Sequence, residues 1–483
     1  MIRAYSVEDV RTAERRAMSA LPDGLLMQRA ASALAATAAE LLPTRVYGAR
    51  VVLLVGSGSN GGDALWAGAR LAGRGARVDA VLVADGAHEA GLAALVRAGG
   101  RAHRGDGTAT RRALADAELV IDGLLGIGGR PGLGELATRL LDAVPDDAVV
   151  VAVDLPSGID PDTGETPEPH VWADVTVTFG VAKPGLLLPP GDQAAGDVRV
   201  VDIGLGPSLR RLTPAVEQWS ASDAAALWPV PGPRDDKYSR GVLGVVAGGA
   251  SYTGAAVLCS GAAVAAGAGM VRYVGPPPPT DLVRARWPEV VPGDGRVQAW
   301  VLGPGVDPDA DPDQRRAVLH AVAQGLPCVM DAGALEFLPS ADTPLLLTPH
   351  AGELARLLSR QQGTTVERAE IEARPLEHAR AAAAATGATV LLKGATAVLA
   401  APDGRVRTVA DGPDWLATAG SGDVLAGIAG ALLAAGLDPL DAGSLAVAVH
   451  AEAGWRASAG GPLSAEAVLR AVPATVAALL RDR

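Results

Sequence analysis

Lysine and asparagine are nearly missing from this 483-residue chain: three of its 42 basic residues are lysines, Lys183, Lys237 and Lys393, and Asn60 is its one asparagine. Arginine, aspartate or serine stands wherever it can serve, so the survivors mark places where a compact ammonium or a neutral amide is required. Cysteine is equally scarce. Cys259 and Cys328 exclude a disulfide framework, and their apolar surroundings read as small core residues. An excess of positive charge is missing as well: the net charge of -12 argues against a sequence-independent nucleic-acid binder and against an anionic membrane surface as partner. No long apolar run is found. Ala255 to Val271 and Ala426 to Leu437 fall short of a membrane span, and the N-terminus lacks a signal peptide's apolar core, so a cytoplasmic, soluble protein is expected. What is present is apolar bulk, 49% of residues, in a chain longer than one core usually serves. Two α/β domains follow.

The stretch Ala417 to Gly430, ATAGSGDVLAGIAG, organises the second half. Gly420, Ser421 and Gly422 let the backbone approach a ligand, and the apolar density from Val424 onward is that of a buried helix. Free N–H groups at such a helix start favour an anion. Asp423 sits there, and two readings stand. It complements the helix dipole, or it takes the proton of a hydroxyl driven at phosphorus.

In the first half, Met1 to Leu42 reads as helical, without chemistry beyond packing or dimer contacts. From Arg50 strands and helices alternate: strands at Val51 to Val55, Arg77 to Val83, Leu119 to Asp122, Val149 to Asp154, Val175 to Phe179 and Val198 to Ile203, with helices at Asp63 to Ala72, Leu92 to Ala98 and Glu135 to Val144. This is a doubly wound sheet, and ligands in such sheets bind beyond the carboxyl ends of the strands. Polar groups gather there. Gly56 to Asp63 (GSGSNGGD) follows the first strand without the GxGxxG spacing of a dinucleotide fingerprint. Asp122 ends a strand before the glycine loop Gly126, Ile127, Gly128, Gly129, Arg130, Pro131, Gly132, and Asp154 and Ser157 end the next. Asn60, Asp122 and Ser157 are candidates for hard oxygen ligands of a cation, with Asp154 facing a substrate; the alternative is that all are turn and capping residues.

Thr213 to Asp236 is proline-rich and unperiodic, and its early part reads as a linker. Beyond it, Gly303-Pro304-Gly305, Asp331, His350 and Lys393-Gly394-Ala395-Thr396 each follow an apolar run. Lys393 suits a nucleotide phosphate or is a solvated cation; His350 is an N-cap or a substrate contact.

In order, the segments SGSNGGDAL, VDLPSGID with FGVAKPGLL, KYSRGVLGVVAGGASYTGAA, LGPGV, LTPHAGELARL, LLKGAT and ATAGSGDVLAG make the chain resemble the bifunctional NAD(P)H-hydrate repair enzymes nearly end to end. The resemblance implies a Rossmann-like epimerase domain at 1–213 and a ribokinase-like, ADP-dependent dehydratase domain at 221–483. It implies that Ser59, Asn60, Gly61, Gly62, Asp63, the loop 126–132 and Asp154 hold the hydrated nucleotide, NADHX or NADPHX, in the epimerase, with potassium on Asn60, Asp122 and Ser157. In the dehydratase it places Ala255, Gly305, His350 and Asp423 on the hydrate. Lys393, Gly394, Ala395, Thr396, Ala397 and Gly422 then fall on ADP, with magnesium on the phosphates. Asp154 and Asp423 are the implied catalytic residues, and a homo-oligomer is expected. The chain departs from the family pattern at Ser59, Gly333, Ala351 and Ala419, where asparagine, aspartate, proline and glycine are usual. The rival reading is a ribokinase-like kinase of a sugar or vitamin-precursor alcohol with a regulatory first domain.

Overall fold

A computed structural model describes the chain except residues 44, 308, 340–342, 411 and 482–483. It divides into two compact units, Arg3–Val216 and Glu217–Arg483, the second including Met1–Ile2.

In the first unit β1 (Arg50–Val55), β2 (Arg77–Leu82), β3 (Arg101–Arg104), β4 (Leu119–Gly123), β5 (Val149–Val153), β6 (Val175–Phe179) and β7 (Asp197–Val201) form a parallel sheet in the order β3-β2-β1-β4-β5-β6-β7. Alternate residues of each strand bury opposite faces. Leu53, Ile121 and Val151 pack with Val10, Leu34 and Leu65 from the helices Val7–Ala20, Leu25–Leu41 and Ser59–Gly73. Val52, Leu54 and Val120 pack with Leu114 and Leu140 from Thr108–Ala115 and Glu135–Leu141 on the other side. The doubly wound expectation is met, and chain direction across the sheet reverses between β1 and β4, which makes that point the crevice of the fold.

Three local readings need correction. The helix after β1 starts at Ser59 and not at Asp63: Gly61 is helical, and a Cβ there would lie 2.2 Å from the Gly56 carbonyl, so its glycine serves close packing rather than a loop. Strand β3 and the helix Thr108–Ala115 escape the apolar pattern because β3 is an exposed edge strand of sequence RAHR. The short stretch read as linker holds β8 (Val216–Gln218), and a helix, Ala221–Leu227, with a Ser220/Asp223 capping box follows it at once.

The second unit continues with β9 (Val242–Val246), β10 (Met270–Tyr273), β11 (Val291–Pro292), β12 (Ala299–Leu302), β13 (Cys328–Met330), β14 (Leu345–Leu347), β15 (Thr389–Leu392), β16 (Ala397–Ala400) and β17 (Val406–Val409). From β8 on, the order is β8-β17-β16-β15-β14-β13-β12-β9-β10-β11, parallel from β11 to β15 and antiparallel through β15, β16 and β17. Direction reverses between β9 and β12, again beside the glycine-rich strand ends. Helices Thr253–Ala265, Ser421–Ala434, Pro439–Ser458 and Ala465–Arg481 bury an alanine-rich core against the sheet. Both cysteines are free and buried. Among the described residues no helix is long and apolar enough to cross a membrane.

Candidate functional site

The parallel strands bring two sets of polar residues to two carboxyl edges, one in each unit. At the β1/β4 crevice of the first, Asp122 is fully buried. Its carboxylate accepts from Ser157 N at 2.8 Å, Ser157 Oγ at 2.7 Å and Leu124 N at 3.2 Å. Burial lifts its pKa to about 6 against the pull of those hydrogen bonds. Asn60 donates from Nδ2 to the carbonyls of Leu125 (3.0 Å) and Val153, and Leu125 N donates to Ser157 Oγ at 2.9 Å. Asn60 and Ser157 thus meet at Leu125, and Ser157 joins them to Asp122, on the strand edge where the sequence reading put all three.

Asp154 follows β5 with φ of 70°, a left-handed conformation that an aspartate adopts at a cost. That twist turns its Oδ1 to Lys183 Nζ, to Thr178 Oγ1 at 3.1 Å and to Phe179 N at 3.3 Å. Lys183 is 1% exposed, so one of the three lysines is a buried counter-ion. Asp63, on the Ser59–Gly73 helix, is also buried, and its Oδ1 has no hydrogen-bond partner. Its pKa stands well above the ordinary value through burial, then through the charges of Asp154 and Glu14. The glycine loop is closed by Gly129 N to Gly126 O at 2.8 Å and Gly132 N to Gly158 O at 2.7 Å, with Arg130 and Pro131 exposed at its tip. Ser59 is exposed at the helix start, whereas Gly61 and Gly62 are buried.

In the second unit Gly420 takes φ of 89° and starts the Ser421–Ala434 helix, with Asp423 in its first turn. Burial raises Asp423 to about 7; Asp331 adds to the shift and Lys393 opposes it. Asp331, one residue beyond β13, accepts on Oδ1 from Lys393 Nζ at 2.7 Å and from Thr348 Oγ1 at 2.9 Å. Burial works against the charge of Lys393, yet Asp331, Glu353 and Asp423 hold its pKa above the ordinary lysine value. His350 caps the Ala351–Gln362 helix by accepting from Gly352 N and Glu353 N at 3.1 and 3.3 Å. It also lines a cavity of about 670 Å³ with Lys393, Gly394, Ala395, Ala397 and Gly422. His350 is thus the helix cap and also part of the cavity wall. Leu391, Val409, Leu416, Leu425 and Val447 supply an apolar wall suited to a base, and the glycine-rich end at Lys393 and Gly422 suits phosphate. Gly305 touches Ala255: at φ of 63° it is left-handed, and a Cβ on it would lie 2.5 Å from the Ala255 Cβ.

Glu14, Arg11, Thr178 and His450 were missed from sequence. His450 is buried on the cavity wall, 3.1 Å from Ser421 Oγ, and burial lowers its pKa to about 4, so it is neutral at physiological pH. A lone histidine inside an alanine-rich helix gives no signal of its own; only its scarcity, seven in the chain, does.

A lysine, a glycine-lined helix start and a carboxyl group poised near pH 7 on one sheet edge define a phosphoryl-transfer class of α/β protein, here carried behind a second, Rossmann-like unit. Family models match both parts: NAD(P)H-hydrate dehydratase over residues 243–469 and YjeF-related protein N-terminus over 24–185. The bifunctional NAD(P)H-hydrate repair enzyme Nnr of Mycobacterium tuberculosis is 47% identical over 90% of this chain and 89% of its own. That of Mycobacterium leprae is 46% identical over 93% of each. The chain belongs to this family of bifunctional NAD(P)H-hydrate repair enzymes. The crystal structure of ADP/ATP-dependent NAD(P)H-hydrate dehydratase from Bacillus subtilis, co-crystallised with ATP/Mg2+, is 26% identical and matches 55% of this chain and 99% of its own with a TM-score of 0.50.

Proposed function

We propose that this chain restores hydrated reduced nicotinamide nucleotides in two steps: the first unit interconverts R- and S-NAD(P)HX, and the second dehydrates the S form to NAD(P)H at the expense of ADP, giving AMP and phosphate. The observation that carries the reading is the pair of sites, each at the carboxyl edge of its own unit's parallel strands, in a chain aligned over 90% of its length with a bifunctional relative. A stand-alone sugar or vitamin kinase leaves the first site without a task.

In the second unit the 670 Å³ cavity takes the adenine nucleotide, phosphates toward Lys393, Gly394, Ala395, Ala397 and Gly422 of its lining, with the buried Thr396 in the same segment. Ala255, Gly305 and His350 border the hydrate. Asp423 takes the proton of its hydroxyl, whose oxygen attacks the β-phosphorus of ADP while AMP leaves. Phosphate then departs with the C–O bond, a ring proton is lost, and the double bond returns. With a pKa of about 7, Asp423 is matched to this work at neutral pH. Magnesium, when bound, neutralises phosphate charge. Asp423 and Asp331 are the carboxylates of this edge that would face such an ion.

In the first unit Ser59 to Asp63, the loop 126–132 and Asp154 hold the nucleotide. Asp122 has no cationic side-chain partner among the described residues; Ser157 Oγ lies 2.7 Å from its carboxylate, and Asn60 and Ser157 both bond to the Leu125 backbone. That donor set fits potassium, which would offset the buried carboxylate. A homo-oligomer belongs to the same reading and is tested by light scattering. The scarcity of cysteine supports a cytoplasmic location.

The test is recovery of near-ultraviolet absorbance from mixed R- and S-NADHX with magnesium, potassium and ADP, ATP or no nucleotide. Full, nucleotide-dependent recovery of both epimers is the expected result. Recovery of the S fraction alone removes the epimerase, and a phosphate retained on an alcohol product restores the kinase reading.

A further inference from the structure

In the second unit two turns leave the carboxyl ends of neighbouring strands, 248–252 after β9 and 303–305 after β12. They are packed against each other: Gly248 N donates to the Pro304 carbonyl at 2.7 Å, and a Cβ on Gly305 would lie 3.1 Å from the Tyr252 Cβ. Gly248 and Gly305 are both left-handed, at φ of 69° and 63°, and glycine has no side chain with which to anchor itself. The anchoring comes through backbone carbonyls. Gln314, in the first turn of the helix Pro312–Val322, is 1% exposed, and its Nε2 donates to the Ala247 carbonyl at 3.2 Å and to the Gly248 carbonyl. Tyr273 Oη, at the end of β10, donates to the same Ala247 carbonyl at 2.6 Å. Asp311 caps the helix by accepting from Gln314 N at 3.2 Å, which fixes where that side chain starts. The amide must be oriented this way, because only its nitrogen can face two carbonyl oxygens. As a consequence Gln314 Oε1 is buried without a hydrogen-bond partner. A core position filled for stability alone would take an apolar side chain and leave no such orphan. What the glutamine adds is the pair of hydrogen bonds to 247–248.

We propose that Gln314 is a positioning residue of the dehydratase: it holds the 248–252 turn against Gly305 and so fixes the wall on which the hydrate rests. The inference rests on the reading above that Ala255 and Gly305 border the hydrate. Ala255 lies in the first turn of the helix Thr253–Ala265, which the 248–252 turn leads into, and a Cβ on Gly305 would lie 2.5 Å from the Ala255 Cβ. A displaced turn therefore moves both borders of the hydrate together. The nucleotide side is separate, since none of the residues lining the 670 Å³ cavity belongs to either turn or is Gln314. Loss of the amide is felt by one substrate and not by the other.

The experiment compares full-length wild type, Gln314→Leu and Gln314→Glu in the recovery of reduced nicotinamide from purified S-NADHX, with kcat and with KM for S-NADHX and for ADP measured separately. Calorimetry gives the Kd for ADP, and thermal melts report folding. Gln314→Leu removes the two donated bonds and the orphaned oxygen together, so it is expected to melt near wild type. It is expected to raise KM for S-NADHX about tenfold or more and to leave the Kd for ADP unchanged. Gln314→Glu can donate to a carbonyl only while protonated, so its KM for S-NADHX, relative to wild type, is expected to climb as the pH rises. A wild-type KM for S-NADHX in Gln314→Leu overturns the proposal. So does an equal loss of affinity for ADP, which would make the residue a general support of the unit. Should that variant fail to fold, a pH-independent ratio in Gln314→Glu overturns it equally. A wild type that binds ADP but recovers no reduced nicotinamide from S-NADHX refutes the dehydratase reading itself, and the proposal with it.

Discussion

Asp423→Asn tests the dehydratase chemistry most directly, because it keeps the shape of the side chain and removes its ability to take a proton. General-base assistance is worth about 10²–10⁴-fold, or roughly 3–5 kcal/mol of barrier. The pKa of about 7 sets the pH range. The base works as the carboxylate, so wild-type kcat/KM should fall about tenfold per pH unit below 7 and level off above it. In Asp423→Asn that acid limb should vanish from whatever rate remains. Stability should move the other way. The folded pKa lies above the unfolded value of about 4, so the folded state holds a proton that the unfolded chain has lost. This group therefore opposes folding increasingly as pH rises from about 4 to 7, and fully above 7. Asp423→Asn should have a higher urea midpoint than wild type at pH 8, with the difference disappearing toward pH 4. Nucleotide affinity should persist, since Lys393, Gly394 and Gly422 line the cavity independently of that carboxylate. The assay is ADP-dependent recovery of reduced nicotinamide from purified S-NADHX, beside nucleotide binding by calorimetry. Near-wild-type turnover, or an unchanged acid limb in the variant, would refute Asp423 as the base.

Lys183→Met should cost about 3–5 kcal/mol in the first unit's unfolding free energy, because it leaves the buried Asp154 carboxylate without its ammonium; an unchanged urea transition contradicts the pairing. Gly126→Ala should cost the epimerase about tenfold or more and weaken its potassium dependence while sparing dehydration, since the new Cβ would lie 2.6 Å from Asn60 Oδ1, whose amide is already held by two carbonyls. Gly305→Ala, strained at its left-handed φ and pressed against Ala255, should lower kcat/KM for the hydrate about tenfold or more with ADP affinity intact; an equal loss of both would move Gly305 to the nucleotide side.

The sequence by itself determined the alternation of apolar strands and helices, the glycine loops, and the position of Asp423 at a helix start, because all three are written in nearest-neighbour patterns. It also marked Lys183, Lys393 and Asn60 through their scarcity, although that signal failed for the third lysine, Lys237, which is exposed. Tertiary structure decided the rest. Strand β3 and the helix Ala221–Leu227 lack a strong apolar period and depend on the edges they pair with or the core they cover. Only the fold turns Lys183 into the partner of Asp154, 29 residues away, and Lys393 into that of Asp331, 62 residues away. Gln314 and His450 illustrate the limit most clearly. Each is one polar residue on an otherwise unremarked helix, and what gives it a role is the burial and the hydrogen bonds supplied by residues distant in sequence. Parallel sheets make this the general case, because their chemistry is collected at one edge from strands that the chain visits far apart.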